Sequence, residues 1–416
     1  MKIGNLNLFN NKYVKKQEGS VEFYLYKNDN DSIPSKSMGV FYNERMEINR
    51  DISILAILTY NKLINRDPLV LVDCMAASGI GSIRLLKTSN NFKKIYINDI
   101  NPIAVELIKR NLKLNDLEKN TQIISSHKDA NLLCIEIAQK SCLTGEKKIE
   151  NPNVISIDPF GTPNIYIDSA FKSIKKKNGL LCITATDTAV LFGVKPKACI
   201  RKYMSKPLHT EYCKEIGARI LLYYISRIAN VNNLGIIPLL TFYSNHFIRI
   251  FALTYKSKAK IFKDLSNSYG YIIHCNTCGY RSSVLNDILT IPQKCPSCLK
   301  EEPLSYAGPL WINELHKRYF LEEIIHLNEE FNFKSKNRIT KIIGYALDEI
   351  SMPVSYFNIH KLCQQLKLPS IPKIEKLIEA ISESGYSASR THFDFISIKT
   401  DVGINALKNI LKNTLN

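Results

Sequence analysis

The chain has 416 residues, and its 56 Lys+Arg outnumber 38 Asp+Glu to give a formal charge of +18. At roughly 150 residues per domain, that length allows about two or three domains, each able to bury a core. A composition of 45% hydrophobic and 23% charged residues excludes a wholly disordered chain.

The N-terminus, MKIGNLNLFNNKYVKK, shows no apolar core followed by a small-residue cleavage site, so no secretory signal is expected. Residues 1–66 mix a strand-like segment, VEFYLYK, with an amphipathic stretch, MEINRDISILAILTYNKLI. From Pro68 to about Thr254, short β-branched runs alternate with helical patterns. LVLVDCM precedes GIGSIRLLK, KIYINDI precedes PIAVELIKRNLKL, NVISIDPF precedes YIDSAFKSI, and GLLCITATD precedes a long helix near GARILLYYISRIA. Repeated strand–turn–helix predicts a parallel sheet with crossover helices. Residues from Lys256 to about Pro303 carry spaced cysteines, and beyond Gly308 the pattern is mainly helical. Arg or Pro breaks the longest apolar stretches, such as Ala218–Ala229, so no membrane span is predicted.

The surplus charge speaks of partners, because summed charge attracts polyanions. Basic residues cluster at Lys175–Lys177, Tyr255–Lys263 and Lys334–Lys341, with Tyr255, Phe262, Phe331 and Phe333 in or beside the last two. Cations mixed with aromatics suit phosphate contacts and base stacking, although any one run can equally be a solvated face.

The segment VLVDCMAASGIGSIR places Asp73 at the end of a strand, then small residues, then a helix start. Gly79 and Gly81 permit backbone angles closed to bulkier residues and let a ligand approach the main chain. Read from Gly79 the pattern is G-x-G-x-x-R, with Arg84 where a dinucleotide fingerprint has Gly or Ala. Read from Asp73 it is close to the D/E-x-x-x-G-x-G pattern of S-adenosylmethionine enzymes. The next strand ends at Asp99, twenty residues after Gly79, where a carboxylate can accept both ribose hydroxyls. Asp129, in SSHKDANLL, could accept from an adenine amino group or simply cap a helix. Three acids at successive strand ends make a far more specific set than any one of them, since ligands of open parallel sheets bind beyond the carboxyl ends of strands.

ISIDPFGTP puts Asp158, Pro159, Phe160 and Gly161 at the end of the following strand. An exocyclic amino nitrogen on a base is a poor nucleophile, because the ring delocalises its lone pair. A carboxylate that accepts from its N–H draws it towards tetrahedral geometry and can take its proton, worth ~10²–10⁴-fold. Phe160 offers a ring on which an extruded base can stack. The tetrapeptide resembles the D/N-P-P-Y/F motif of amino-directed methyltransferases, with Phe160 third and Gly161 last. Eleven cysteines include Cys275, Cys278, Cys295 and Cys298, in the order C-x₂-C-x₁₆-C-x₂-C, a structural zinc spacing typical of a reducing compartment. The other seven read as small core residues.

Taken together, these residues resemble the tRNA (guanine-26-N2)-dimethyltransferases of archaea and eukaryotes. The match runs in order through VFYNERMEINRD, DCMAASGIGSIR, YINDINP, KDAN, IDPFGTP, TATDTAVLFGVKPKACIRKY, the four cysteines, YAGPLWINELH and SRTHFDFISIKTD. The resemblance implies an α/β architecture. A Rossmann-like class I methyltransferase domain would occupy residues 1–255, residues 1–66 extending it. An α+β C-terminal domain with a four-cysteine zinc ribbon would occupy 256–416. It also implies S-adenosylmethionine and structural zinc as cofactors, and tRNA as substrate, one guanine amino group receiving one or two methyls. By matching motif, Arg50 would hold the cofactor near its methionine end, Asp99 the ribose, and Asp129 with Ala130 the adenine. Asp73, Gly79 and Arg84 are further cofactor candidates, Asp158 the catalytic acceptor and Phe160 the stacking ring. Where the family commonly reads G-I-R, this chain has Gly79-Ile80-Gly81. No protein partner is implied, so a monomer is expected, with the cytoplasm as the default compartment.

Three other readings compete: a methyltransferase for another amino group of RNA or DNA, a nicotinamide dehydrogenase, and a non-enzymatic zinc-ribbon binder of nucleic acid. Arg84 and the DPFG turn weigh against the dehydrogenase, and four ordered strand-end motifs against the binder.

Overall fold

The computed structural model describes residues 12–30, 38–144, 149–285 and 292–414. They form two compact units that interleave along the chain. The first comprises 1–184, 251–256 and 323–340, and the second 185–250, 257–322 and 341–416. A division at residue 255 would put residues 323–340 in the C-terminal domain; by contact they group with the first unit. Composition reveals helices and strands but not which core a later segment returns to.

In the first unit, a hairpin of β1 (Tyr13–Glu18) and β2 (Val21–Tyr26) precedes helix α1 (Glu47–Leu63). Then β3 (Leu69–Asp73), α2 (Ile80–Thr88), β4 (Phe92–Asp99), α3 (Pro102–Leu114), β5 (Ile123–His127), α4 (Ala130–Ser141), β6 (Val154–Ile157), α5 (Asn164–Ser173) and β7 (Leu180–Ala185) follow. The strands are parallel and ordered β5-β4-β3-β6-β7. Every residue of β7 is buried, as a parallel strand covered on both faces requires, which is why LLCITA reads as an unbroken apolar run. Helix α3 shows how local chemistry sets the ends: the Asn101 side chain accepts from the Ile103 N–H at 3.0 Å, and Pro102 takes the first helical position. It buries Ala104, Val105, Leu107 and Ile108 on one face.

Residues 323–340 complete this unit. Ser335 donates to the Asp51 carboxylate, Arg84 lies 5.5 Å over the Phe333 ring, and Lys62 pairs with Glu323 at 2.6 Å.

The second unit holds α6 (Pro196–Tyr203), α7 (Cys213–Val231), β8 (Gly235–Ser244) and the first residues of β9 (Phe247–Tyr255). Helix α8 (Lys258–Ser268) leads into a three-stranded antiparallel sheet, ordered β11 (Arg281–Leu285), β10 (Tyr269–His274) and β12 (Ser305–Trp311). Beyond it come α9 (Arg318–Glu330) and α10 (Lys336–Asp348), each with residues in both units. A last three-stranded sheet and three short helices bury Phe357, Leu377, Ile381, Ile398 and Leu407 in one cluster. No helix among the described residues is long and apolar enough to cross a membrane.

Candidate active site

The parallel register sets the predicted acids along one edge. Asp73 on β3 lies opposite Ile97 on β4 and Ser156 on β6, and Asp99 lies opposite His127 on β5. Asp99, Asp158 and Asp129 thus each stand two residues beyond a partner of the neighbouring strand, all at the carboxyl edge, where an open sheet accepts ligands.

Asp99 shapes the loop after β3. Its carboxylate accepts from the Ala77 N–H at 2.8 Å and the Asn101 N–H at 2.9 Å. Burial pushes its carboxyl above the ordinary range, against the pull of those N–H groups. The loop doubles back through Ala77 (φ 49°) and Gly79 (φ 77°) before α2 begins. A Cβ on Gly79 would be strained and would meet Ile108 at 3.1 Å, so glycine is what lets the loop close on α3. Asp73 accepts from the Ser82 hydroxyl at 2.6 Å. Asp129 caps α4, its Oδ1 accepting from the Asn131 and Leu132 N–H groups, and Ala130 begins that helix, buried. The capping alternative for Asp129 is thus realised at that oxygen. Asn98, which sequence reasoning passed over, ties these ends together: its buried amide donates to the Cys74 and Lys128 carbonyls and accepts from Ser126.

Two residues far upstream join Asp158 and Phe160. The Asn49 amide, at the start of α1, donates to the Asp158 carboxylate at 3.0 Å. The carboxylate fixes which way that amide points, since only its NH₂ end can donate, and leaves Asn49 Oδ1 as a buried acceptor with no hydrogen-bond partner among the described residues. Phe41 meets Phe160 edge to face at 4.3 Å, while Phe160 as a residue remains 45% exposed. The Phe41 loop is held on both sides. Asp29 accepts from the Gly39 and Val40 N–H groups at 2.9 Å, and Asn101 donates to the Gly39 carbonyl at 2.7 Å. Nothing in the spacing of VFYNERMEINRD shows that Phe41 and Asn49 approach a strand end so distant in sequence, 109 positions on from Asn49.

Arg50 and Arg84 meet on one carboxylate. Glu18 accepts from Arg50 Nε at 2.7 Å and Nη2 at 2.6 Å, from Arg84 Nη1 at 2.7 Å and from the Tyr42 hydroxyl at 3.0 Å. Arg84 also pairs with Asp51 and is 3% exposed. Burial alone would raise the Glu18 carboxyl, but the two guanidiniums and Tyr42 hold it below its ordinary range. At Asp51 burial wins and raises the carboxyl, despite Arg84 and Ser335. Arg84, singled out above as a cofactor candidate, is committed to this internal network. Arg50 keeps its side chain 16% exposed.

In the second unit, Cys275 and Cys278 face Cys295 and Cys298. The Sγ atoms stand 3.8 Å apart for Cys275–Cys298 and 3.6 Å for Cys278–Cys295, and all four lie within 4.8 Å of one another. Both CxxC turns have the same backbone pattern. The Gly279 N–H donates to the Cys275 carbonyl, the Leu299 N–H to the Cys295 carbonyl, and each of Gly279 and Leu299 takes positive φ. Lys408 donates to the Cys278 carbonyl at 3.0 Å, and Arg281 sits 4.0 Å over Phe357, fastening the first turn to the C-terminal core. Of the other seven cysteines, five are buried, Cys213 is half-buried and Cys142 is exposed.

A second cluster of ligand-type residues, His316, Glu349 and His392, is buried in the same unit. His316 Nδ1 accepts from the Thr241 N–H at 3.4 Å, so Nε2 carries the proton and donates to Glu349 at 3.0 Å. In that tautomer the contact is a neutral-imidazole hydrogen bond to the carboxylate. Burial lowers the His316 pKa to about 4, outweighing Glu349. The unfolded imidazole titrates near ~6.5, so between these values the unfolded chain binds the extra proton and stability falls as pH drops. Thermal melts from pH 7 to pH 5 should therefore show a falling Tm, with a shallower slope in His316→Gln. Equal slopes would reject this account of the pH dependence.

Comparison with known proteins follows the same lines. The profile of the family described as N2,N2-dimethylguanosine tRNA methyltransferase matches residues 20–412. A tRNA (guanine(26)-N(2))-dimethyltransferase of Methanosphaera stadtmanae is 36% identical over 372 residues, covering 89% of this chain and 90% of that protein. The enzyme of the same name from Methanosarcina barkeri is 36% identical over 387 residues, covering 92% and 93%. Among solved structures, Trm1 from Pyrococcus horikoshii in complex with S-adenosyl-L-methionine superposes with a TM-score of 0.78 at 29% identity, covering 96% of this chain and 99% of that one.

Proposed function

The chain belongs to the N2,N2-dimethylguanosine tRNA methyltransferase family, and from that membership we infer that it methylates the exocyclic N2 of guanine 26 in tRNA, with S-adenosylmethionine as donor. The observation that carries the reading at the level of this chain is Asp158-Pro159-Phe160 just after β6, two residues beyond Ser156, which pairs with Asp73, as Asp99 and Asp129 lie two residues beyond Ile97 and His127. A dehydrogenase has no use for an acceptor and an exposed ring at that strand end, and a passive binder has no use for the whole row.

We assign Asp99 to the ribose hydroxyls, and Asp129 with the first turn of α4 at Ala130 to the adenine. Asp73 and the Gly79 loop would face the remainder of the cofactor, and Arg50 its methionine end. When bound, S-adenosylmethionine supplies an electrophilic methyl group on a sulfonium. The protein's own work is to present the guanine nitrogen in line with it. Phe160, with Phe41 set edge-on beside it, gives an extruded guanine a ring to stack on. The Asp158 carboxylate, oriented by Asn49, accepts from the amino N–H and receives the proton that nitrogen loses as the new N–C bond forms. Arg84 acts through Glu18 and Asp51 as a positioning residue.

We further propose that Cys275, Cys278, Cys295 and Cys298 hold a structural zinc ion. A tetrahedron of Zn–S bonds of about 2.3 Å has S–S edges of about 3.8 Å, and the 3.6 and 3.8 Å separations suit it. Four thiolates leave no open position, so the ion would fold and not react. Cys295→Ser should lower the bound zinc below one per chain and lower the Tm, read by atomic absorption and calorimetry. Full zinc content in that variant would reject the assignment.

The decisive experiment is methyl transfer from labelled S-adenosylmethionine to unmodified tRNA transcripts with guanine or adenine at position 26. Methylated guanosine appearing only with the guanine transcript is the expected result. Transfer to both transcripts would overturn the site, and no transfer with the cofactor bound would overturn the substrate.

A further inference from the structure

Helix α6 is built in a way that its own stability does not explain. On its inner side Cys199 and Tyr203 are fully buried, and Asp187 takes the Tyr203 hydroxyl at 2.8 Å and Lys202 Nζ at 3.3 Å. Just beyond it, Lys206 and Gly308 exchange two backbone hydrogen bonds of 2.8 Å, and Lys206 Nζ lies 3.8 Å over the Tyr306 ring. The helix is therefore firmly held.

Its outer side carries the opposite character. Lys197, Ile200 and Arg201 lie at i, i+3 and i+4 on one stripe, with Val194 and Lys195 just before the helix and Met204, left-handed at φ 53°, capping its end. Val194 is 58% exposed, Ile200 46% and Met204 60%. Three choices on this stripe work against an isolated helix. Lys195 and Lys197 stand at the end where the helix dipole is already positive. Lys197 and Arg201 are like charges at i,i+4. Three large apolar side chains face water. No carboxylate pairs with Lys195, Lys197 or Arg201 among the described residues. Such local conflicts, gathered on one rigid face, mark a surface completed by a partner. The partner must be anionic at the spacing of the cations and must offer apolar faces between its charges. A nucleic acid meets both conditions, since its phosphates alternate with ribose and base surfaces.

We propose that this face of α6 docks on the substrate tRNA, Lys195, Lys197 and Arg201 on phosphates, and Val194, Ile200 and Met204 against exposed ribose or base faces between them. The proposal rests on the tRNA reading above and assigns part of the protein's surface to that substrate.

The test compares wild type, Lys197→Ala/Arg201→Ala and Ile200→Ala/Met204→Ala for binding of unmodified tRNA transcript across a salt series. Melting temperature, together with S-adenosylmethionine affinity, serves as the check on folding. The charge variant should bind about tenfold more weakly at 0.1 M salt, with the log–log salt slope reduced by about 1.5. The apolar variant should bind about five- to tenfold more weakly with the slope unchanged, because no ion is released from that contact. Both variants binding tRNA within twofold of wild type would overturn the proposal while leaving the tRNA reading intact. Loss of self-association on sedimentation, with unchanged tRNA affinity, would overturn it in favour of a contact between copies. A wild-type protein that fails to bind tRNA would overturn both readings together.

Discussion

Asp158→Ala is expected to lower the rate of methyl transfer by ~10²–10⁴-fold while S-adenosylmethionine binds as tightly as to the wild type. If Asp158 takes the amino proton as proposed, the loss should fall on kcat, since that contact would strengthen as nitrogen gives up its proton. The side chain sits at the strand end with one oxygen fixed by Asn49 at 3.0 Å, so its removal also frees that amide. Asn49→Ala separates the two effects. It keeps the carboxylate but loosens it, and should lower kcat less than Asp158→Ala, with KM for S-adenosylmethionine the second readout. Single-turnover assays at saturating cofactor and tRNA decide the matter: turnover by Asp158→Ala within fivefold of wild type would remove Asp158 from the chemistry.

The second large effect concerns stability. Glu18 is 3% exposed and takes four donors, from Arg50, Arg84 and Tyr42. In Glu18→Ala, Arg84 keeps only Asp51 for its charge, and Arg50 loses its bidentate partner. Removing one member of a buried ion network costs about 3–5 kcal/mol, because the remaining charges stay buried and uncompensated. Urea unfolding monitored by fluorescence should show that loss. Glu18→Gln, which retains hydrogen-bond acceptance without the charge, should lie between. A loss under about 1 kcal/mol for alanine would mean the arginines find water or other partners, and that the network does not hold the N-terminal hairpin to α1 and α2.

Much of the first unit was legible in the sequence, because a parallel strand buried on both faces must be apolar throughout and a crossover helix must be amphipathic. Asp73, Asp99, Asp129 and Asp158 are placed on one edge by those runs alone; the ladders pair Asp73 with Ile97 and Ser156 and Asp99 with His127, each of the other acids following two residues on. What lay outside its reach depends on tertiary closure. Asn49 and Phe41 sit on a segment whose own pattern only says helix and loop, yet they complete the surroundings of Asp158 and Phe160. Arg84 could be read from its spacing as a ligand residue. Its actual partners, Glu18 and Asp51, come from segments that no local motif links to it. The cysteine quartet needed no such closure, since the spacing within each pair already fixes the turn.

The return of residues 323–340 to the first unit has a consequence for synthesis. As the chain leaves the ribosome, the strands of the methyltransferase sheet through β7 emerge by residue 185, but Phe333 for the face of Arg84 and Ser335 for the Asp51 carboxylate arrive about 150 residues later. Until then the nascent first unit carries a buried-type ion network with one wall missing, and the second unit is being made in the interval. A truncation at residue 255 would freeze the protein at that stage. A gene fragment ending at residue 255 would thus encode the strand-end acids without the Phe333 and Ser335 that pack on Arg84 and Asp51.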